Sequence, residues 1–133
     1  PMTPDELGEI IESHYQWLKL DQQGRRAILF GADLRGVDLS GLDLTDADFR
    51  SADLSDSDLS GANLTRANFT EATLTYANLS NANLGNAELN DTDLRGAFLL
   101  GADLTGTEAW RCNFKGTMIE TEALHKLLGC RNP

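Results

Sequence analysis

Apolar residues recur every five positions along most of this chain. From Ala27 to Thr121 the sequence divides into nineteen consecutive five-residue units without an insertion. The third residue of the unit is Leu in fourteen of them, the first is Ala in twelve, and the second is usually Asp or Asn. Residues five apart lie on opposite faces of a straight strand and about 140° apart around a helix, so neither element explains this period. The chain must therefore change direction once in every unit.

A short strand followed by a turn explains the period. The first three residues alternate inward, outward and inward as in a strand, and the two polar or Gly residues that follow are typical of a turn. Turns of constant sense wind the chain into a solenoid whose axis is lined by Leu and Ala. The pattern predicts an all-β solenoid with Asp, Asn, Ser and Thr on its outside.

Units such as ADLRG, ANLTR and ADFRS resemble the repeats of the pentapeptide-repeat family, and the resemblance covers residues 27 to 121. It implies a right-handed quadrilateral β-helix with four units, or about twenty residues, in each coil. Nineteen units then form nearly five coils. Phe49 and Phe69 offer an internal test, because both are third in their units and they are twenty residues apart. We expect these two rings to stack.

The residues before the repeat predict a helix that covers the first coil. Thr3, Pro4 and Glu6 have the pattern of a capping box for a helix over about residues 4 to 20. The apolar positions of this helix have helical spacing and are Leu7, Ile10, Ile11, His14 and Leu18.

The residues after the repeat predict a second, shorter helix. Thr121 is expected to cap it, and the helix is expected to run through Leu128 and end at Gly129. Its leucines either seal the last coil or meet a second subunit in a homodimer; they are Leu124, Leu127 and Leu128. The chain is thus predicted to consist of a helical cap and lead-in (1–26), the repeat (27–121), and a capping helix with a tail (122–133).

Apolar residues occupy a few outward positions that are polar in most units. Near the last coils these residues are Phe98, Leu100, Trp110 and Met118. An exposed apolar cluster is typical of an interaction surface. Three interpretations are open: the carboxy-terminal segment covers the cluster, a partner or a second copy binds it, or it is simply exposed. At the other end, Ile28 and Phe30 are expected to pack beneath the amino-terminal helix.

The chain is acidic, with 21 Asp and Glu against 11 Lys and Arg and a formal net charge of −10. Direct nucleic-acid binding needs clustered Lys and Arg, so we do not expect it. The Asp residues at the second position of the units have two interpretations. Either they are solvated or bonded to nearby backbone, or they attract a cation or a basic partner.

The sequence predicts a cytoplasmic location. No apolar run approaches the roughly 18 residues of a membrane span, and no signal-peptide pattern opens the chain. A cleaved targeting segment ahead of this sequence is the open alternative, and Met2 is expected to be the natural first residue. Cys112 and Cys130 lack metal-site or disulfide spacing and are expected to be free thiols.

The sequence contains no arrangement of residues that is typical of catalysis. His14 and His125 are in opposite terminal segments, and the serines belong to the repeat. We therefore expect a non-enzymatic protein without cofactor, metal or small-molecule substrate. The leading hypothesis is a protein-interaction or scaffolding module with an unidentified protein partner.

The resemblance implies two alternatives to that hypothesis. Some pentapeptide-repeat proteins imitate DNA and bind DNA gyrase, so one alternative is a gyrase or topoisomerase modulator of the quinolone-resistance type. A purely structural spacer is the other. The lead-in from His14 to Ala27 resembles that of bacterial and phage members, which implies a bacterial origin.

Overall fold

The computed structural model describes residues 2–129. Helix α1 (Pro4–Leu18) precedes the repeat and helix α2 (Thr121–Leu127) follows it. The prediction for Cys130 and the end of the predicted tail lie outside the described residues.

The repeat forms a ladder of isolated parallel β-bridges. Fifteen bridges run from Ile28↔Asp48 to Phe98↔Met118, and each joins the second residues of two units that are twenty residues apart. Backbone hydrogen bonds flank each bridge; for example, Leu64 N donates to Asn83 O over 2.7 Å. Within residues 2–129 no strand is longer than one bridged residue, because each unit turns after its third residue.

A turn with positive φ at the fifth residue ends every unit up to the one centred on Phe114, and most of these turns are closed by a hydrogen bond. Ala67 N donates to Leu64 O over 3.0 Å, and Arg66 between them has φ 58°. A positive φ at the third residue of the turn is the signature of a type II turn, in which Gly is preferred. Several units place Arg, Glu or Tyr there, at a cost of roughly 1–2 kcal/mol each. The ladder hydrogen bonds on either side hold these residues in place.

Four columns of bridges define four faces, which we name after their first central residue. The Leu29, Leu34, Leu39 and Leu44 faces each contain every fourth unit. The Leu39 face, for example, consists of the units centred on Leu39, Leu59, Leu79, Leu99 and Ile119.

The core lies along the axis and consists of the first and third residues of the units. Most central Leu residues are fully buried, and each contributes about 1.5–3 kcal/mol from burial, most of which offsets the entropy cost of ordering the chain. The predicted stack of Phe49 on Phe69 is confirmed, with ring centroids 4.9 Å apart and planes 3° from parallel.

Helix α1 lies over the first coil, which comprises the units centred on Leu29, Leu34, Leu39 and Leu44. Its capping box is complete: Thr3 Oγ1 accepts from Glu6 N at 3.2 Å, and Glu6 Oε2 accepts from Thr3 N at 2.9 Å. Leu7 and His14 are buried against the core. The helix ends two residues before the predicted position.

Two predictions about the flanking contacts are wrong. Ile28 and Phe30 do not pack beneath α1 but are exposed, because they are outward residues of their unit and α1 covers only the axial end of the core. The guanidinium of Arg50 lies 5.3 Å from the Phe30 ring centroid instead. Thr121 does not cap α2, because the cap residue is Glu120, whose carboxylate instead accepts from Gly101 N at 2.8 Å.

Candidate functional site

Three apolar side chains lie together near the carboxy-terminal end of the Leu39 face. Phe98 and Met118 are bridged neighbours, and Leu100 is two residues from Phe98 in the same unit. Their exposed fractions are 40% for Phe98, 43% for Leu100 and 48% for Met118. The equivalent positions in the three preceding units of this face are Asp, Asn or Ser. The structure thus brings three of the four predicted residues onto one surface.

Tyr76 extends this surface, although sequence reasoning gave it no role. It is the fifth residue of its unit, with φ 59°, and its ring rests on Gly96 one coil later. A methyl group at Gly96 would lie 2.5 Å from Tyr76 Cε1. Gly96 is two residues before Phe98, so the ring lies at the corner that leads into the unit of Phe98. We call these four residues the apolar patch: Tyr76, Phe98, Leu100 and Met118.

Trp110 does not belong to the apolar patch. Its unit is centred on Ala109, two units after that of Phe98, which is half a coil and therefore the opposite face. Trp110 is 70% exposed and lines a cavity of about 480 Å³ with Leu127 and Leu128 of the α2 segment. The prediction that Trp110 and Phe98 form one cluster is wrong. The two residues are close in sequence, but their units are not separated by a multiple of twenty residues and therefore lie on different faces.

Helix α2 covers the last coil only partly. Within residues 121–129 no side chain is buried; Leu124 and Leu127 are half-buried and Leu128 is exposed. A cavity of about 690 Å³ remains between α2 and the segment that includes Leu104. The apolar patch stays exposed with α2 in place, so the described part of the carboxy-terminal segment does not cover it.

Most outward Asp and Asn side chains bond to their own unit. Asp58 is typical: its Oδ1 accepts from Ser60 N at 2.9 Å and from Ser60 Oγ at 2.6 Å. Asn63 accepts the same two bonds from Thr65, at 3.1 and 2.6 Å. This pattern supports the interpretation that these residues bond to nearby backbone.

Arginine neutralises some of the carboxylates, but not on the Leu39 face. In the described chain, five Arg–Asp ion pairs occur, and they involve Asp33, Asp46, Asp48, Asp91 and Asp93. Hydrogen bonds from the Arg35 side chain lower the pKa of Asp33 to about 2. The Arg50 side chain likewise lowers the pKa of the buried Asp48, at an Nη2–Oδ2 distance of 2.7 Å.

His14 and Cys112 make hydrogen bonds to the backbone of the repeat. No group of three or more His, Cys, Asp or Glu residues between positions 2 and 129 is placed to hold a metal ion. His14 is buried, and its Nδ1 accepts from Ala27 N at 2.9 Å. Burial raises the pKa of the Cys112 thiol to about 11, so the thiol stays protonated and donates to Leu89 O. Neither described helix is long and apolar enough to cross a membrane.

Solved structures similar to this chain carry the same kind of repeat. HetL, a pentapeptide-repeat protein involved in heterocyst differentiation regulation in the cyanobacterium Nostoc sp. strain PCC 7120, is 40% identical, with a TM-score of 0.62. The match covers 71% of this chain but only 47% of HetL, so this chain spans about half the length of that protein. The pentapeptide-repeat protein alr5209 from the same organism is 29% identical over 91% of both chains, with a TM-score of 0.63.

This chain is also weakly similar in structure to a fluoroquinolone resistance protein. QnrB1, a plasmid-mediated fluoroquinolone resistance protein, is 23% identical over 80% of this chain and 68% of its own, with a TM-score of 0.31. That likeness is too low to carry an argument about function. No protein with a curated description matches this chain.

The family model for pentapeptide repeats matches this chain with eight copies. The matched residues are 27–66, 52–91 and 82–117, which together span most of the repeat. The period of five, the bridges between residues twenty apart and the buried central Leu residues agree with this match. The chain therefore belongs to the pentapeptide-repeat family.

Proposed function

We propose that this chain is a non-enzymatic protein-interaction module that binds a protein partner through the Leu39 face. The observation that supports this proposal is the apolar patch, where Phe98, Leu100 and Met118 replace the polar residues found at the same positions earlier on that face. Exposed apolar clusters of this kind are typical of interaction surfaces in soluble proteins.

The repeat makes the patch a rigid surface. Asn78, Phe98 and Met118 are joined in one continuous column of bridges, and Leu79 and Leu99 behind them are buried. Tyr76 is held against Gly96. A pre-organised surface loses little conformational entropy on binding, so even a small patch can contribute useful affinity.

The finer architecture belongs to the same proposal. We infer a right-handed quadrilateral β-helix of nearly five coils, with α1 as the amino-terminal cap and α2 as a short carboxy-terminal cap. The family resemblance, the fifteen bridges and the burial of the first coil by α1 support it. The division into 1–26, 27–121 and 122–133 follows from the same observations. A cytoplasmic location stays a prediction.

The carboxy-terminal end is a second candidate contact, for a homodimer. Its support is the incomplete cover of the last coil: Leu124 and Leu127 are half-buried, and Leu128 and Trp110 are exposed and line the cavity of about 480 Å³. Sedimentation velocity of wild type and Leu128→Asp would test it. A dimer that the substitution dissociates supports the proposal, and a wild-type monomer at about 100 μM contradicts it.

Affinity capture from the source organism tests the main proposal. Wild type and the Phe98→Ser/Leu100→Asp variant serve as bait, and bound proteins are identified by mass spectrometry. The matched control is Ile28→Ser/Phe30→Asp, which alters two exposed apolar residues at the same positions of a unit on the Leu29 face. We expect a partner that the first variant loses and the control retains.

The same experiment separates the alternatives. Recovery of gyrase subunits would favour the gyrase-modulator hypothesis, and the absence of any stable partner would favour the structural spacer. A partner that binds both variants equally would contradict the location of the site on the Leu39 face.

A further inference from the structure

The Leu39 face changes character along its length. Its column of bridges runs Asp38, Asp58, Asn78, Phe98, Met118, so two carboxylates lie at the amino-terminal end and apolar side chains at the other. The fourth residues of the same units change from three Ser residues to Leu100 and then to Glu120, an exposed carboxylate that accepts from Gly101 N at 2.8 Å. A partner that covers the whole face therefore meets Asp38 and Asp58 at one end, and at the other an apolar surface with the single carboxylate of Glu120 at its margin.

The negative charge on this face is not compensated. In the described repeat, the outward positions of the Leu39 face contain no Lys or Arg, whereas each of the other three faces contains at least one. None of the five ion pairs between residues 2 and 129 involves Asp38 or Asp58. Both carboxylates are held by hydrogen bonds from the Ser residue two positions later. Their positions are fixed and their charge is open to a cation.

The backbone of this face is already paired, which limits the kind of segment that can bind it. Asp58 N donates to Val37 O, Leu79 N to Phe98 O, and Met118 N to Ala97 O. An extended peptide would find no free edge here with which to pair its own N–H and C=O groups. A helix satisfies its own backbone groups and needs only side-chain contacts, so a helix suits the face better.

The spacing along the face sets the pattern of the ligand. With rungs about 4.8 Å apart, Asp58 and Asp38 lie about 10 and 14 Å from Phe98. A helix rises 1.5 Å per residue, so these distances correspond to about six and ten residues. We propose that the Leu39 face binds a helical segment of a partner protein with apolar side chains toward one end and Lys or Arg about six to ten residues away. This inference rests on the proposed function and names the chemistry of its partner.

Two synthetic helical peptides test the inference. Both carry a pair of Leu residues near one end; the first has Arg residues about seven and eleven positions after the first Leu, where they share its helix face, and the second has Glu at those positions. Fluorescence anisotropy with the full chain at about 50 mM salt gives the affinities, and a repeat at about 300 mM salt tests their electrostatic origin. We expect the Arg peptide to bind about tenfold more tightly than the Glu peptide at low salt, with a smaller difference at high salt.

Variants of the chain locate the charges that matter. Asp38→Asn/Asp58→Asn is expected to weaken binding of the Arg peptide about tenfold. The matched control is Asp43→Asn/Asp53→Asn, which removes the same charge from the Leu44 and Leu34 faces and from carboxylates with the same bonds within their units. Asn63 already accepts these bonds in the native chain, so we expect all four substitutions to preserve the fold.

The outcomes separate this inference from the proposed function. Equal weakening in the two double variants would show attraction to net charge alone and would overturn the inference, as would equal affinity for the two peptides or no binding of either. If lysate capture yields a partner that Phe98→Ser/Leu100→Asp loses but Asp38→Asn/Asp58→Asn retains, the proposed function stands and the inference fails. If no partner depends on the patch but the peptide results hold, the proposed function fails alone.

Discussion

The two ends of the solenoid are closed to very different degrees. At the amino-terminal end the four central leucines of the first coil are fully buried beneath α1, whose Leu7 and His14 are themselves buried. In the last coil, the units centred on Leu104, Ala109, Phe114 and Ile119, every central residue is only half-buried, and α2 has no buried residue. Both ends expose a core to be covered, but only one has an effective cover.

The difference follows from helix length and from specific polar contacts. α1 has fifteen residues and a complete capping box, and it is fixed to the repeat by His14 Nδ1 and by Tyr15, whose hydroxyl accepts from Asp43 N at 3.0 Å. α2 has seven residues and no side-chain cap, below the length at which helices are stable on their own. An apolar face alone does not seal a solenoid end; the helix must also be long enough and anchored.

The largest effect is expected from a charge in the core. Leu64→Asp places a carboxylate among fully buried residues, and we expect a loss of at least about 4 kcal/mol in the free energy of unfolding, which is enough to unfold a marginally stable domain. Leu104→Asp, at the same position of the same face in the half-buried last coil, is expected to cost less than half as much. Circular dichroism and urea denaturation measure both. Equal losses in the free energy of unfolding would mean that the last coil excludes water as well as the middle of the solenoid does.

Truncation of one apolar side chain in each helix compares the two caps directly. Leu7→Ala removes a buried anchor of α1 and is expected to cost about 2–3 kcal/mol. Leu127→Ala removes a half-buried contact of α2 and is expected to cost about 1 kcal/mol or less. The urea midpoint, at an unchanged m-value, gives the difference. If Leu127→Ala costs as much as Leu7→Ala, α2 seals its end as well as α1 does.

Hydroxyl groups at the first positions of two units compare the buried inner core with the half-buried last coil. Ser57 is buried, and its Oγ has no hydrogen-bond partner within the described chain, so Ser57→Ala is expected to raise the free energy of unfolding by about 1 kcal/mol. Thr117 of the last coil instead donates its hydroxyl to Leu94 O at 2.6 Å, and Thr117→Val is expected to lower stability by about 0.5–1 kcal/mol. Thermal and urea denaturation test the expected gain of stability in Ser57→Ala and the expected loss in Thr117→Val. A loss of stability in Ser57→Ala would contradict the assignment of Ser57 as unsatisfied.

The repeat itself could be predicted from the sequence because its signal is local. A central Leu every five residues determines which side chains point inward, and the twenty-residue register of Phe49 and Phe69 followed from the family resemblance. The capping box of α1 is also local, since it needs only Thr3 and Glu6 three residues apart. These features need no knowledge of the far end of the chain.

The candidate site was predicted less well because it depends on the register between coils. Trp110 is close to Phe98 in sequence but lies half a coil away, and Tyr76 is distant in sequence but rests against Gly96. Consistent use of the twenty-residue period would have found both placements. How well α2 covers the last coil depends on tertiary packing, which the spacing of Leu124 and Leu127 does not reveal.

The smallest effect is expected from pH, through His14 in the better cap. Burial lowers the pKa of His14 from 6.5, although the nearby Asp43 and Asp46 partly offset this shift. The folded chain therefore favours the neutral ring, and the unfolded chain takes up the proton first as the pH falls below about 6.5. The contribution of His14 to the free energy of unfolding is complete above that pH. It declines below that pH until His14 of the folded state is protonated as well.

Urea denaturation at pH 7.5 and at pH 5.0 should show this loss of stability in wild type and in His125→Gln, which alters the exposed histidine of α2. The loss should be smaller in His14→Gln. The same loss in all three chains would assign the pH dependence to other groups and leave His14 with only its packing and its hydrogen bond from Ala27 N in the cap.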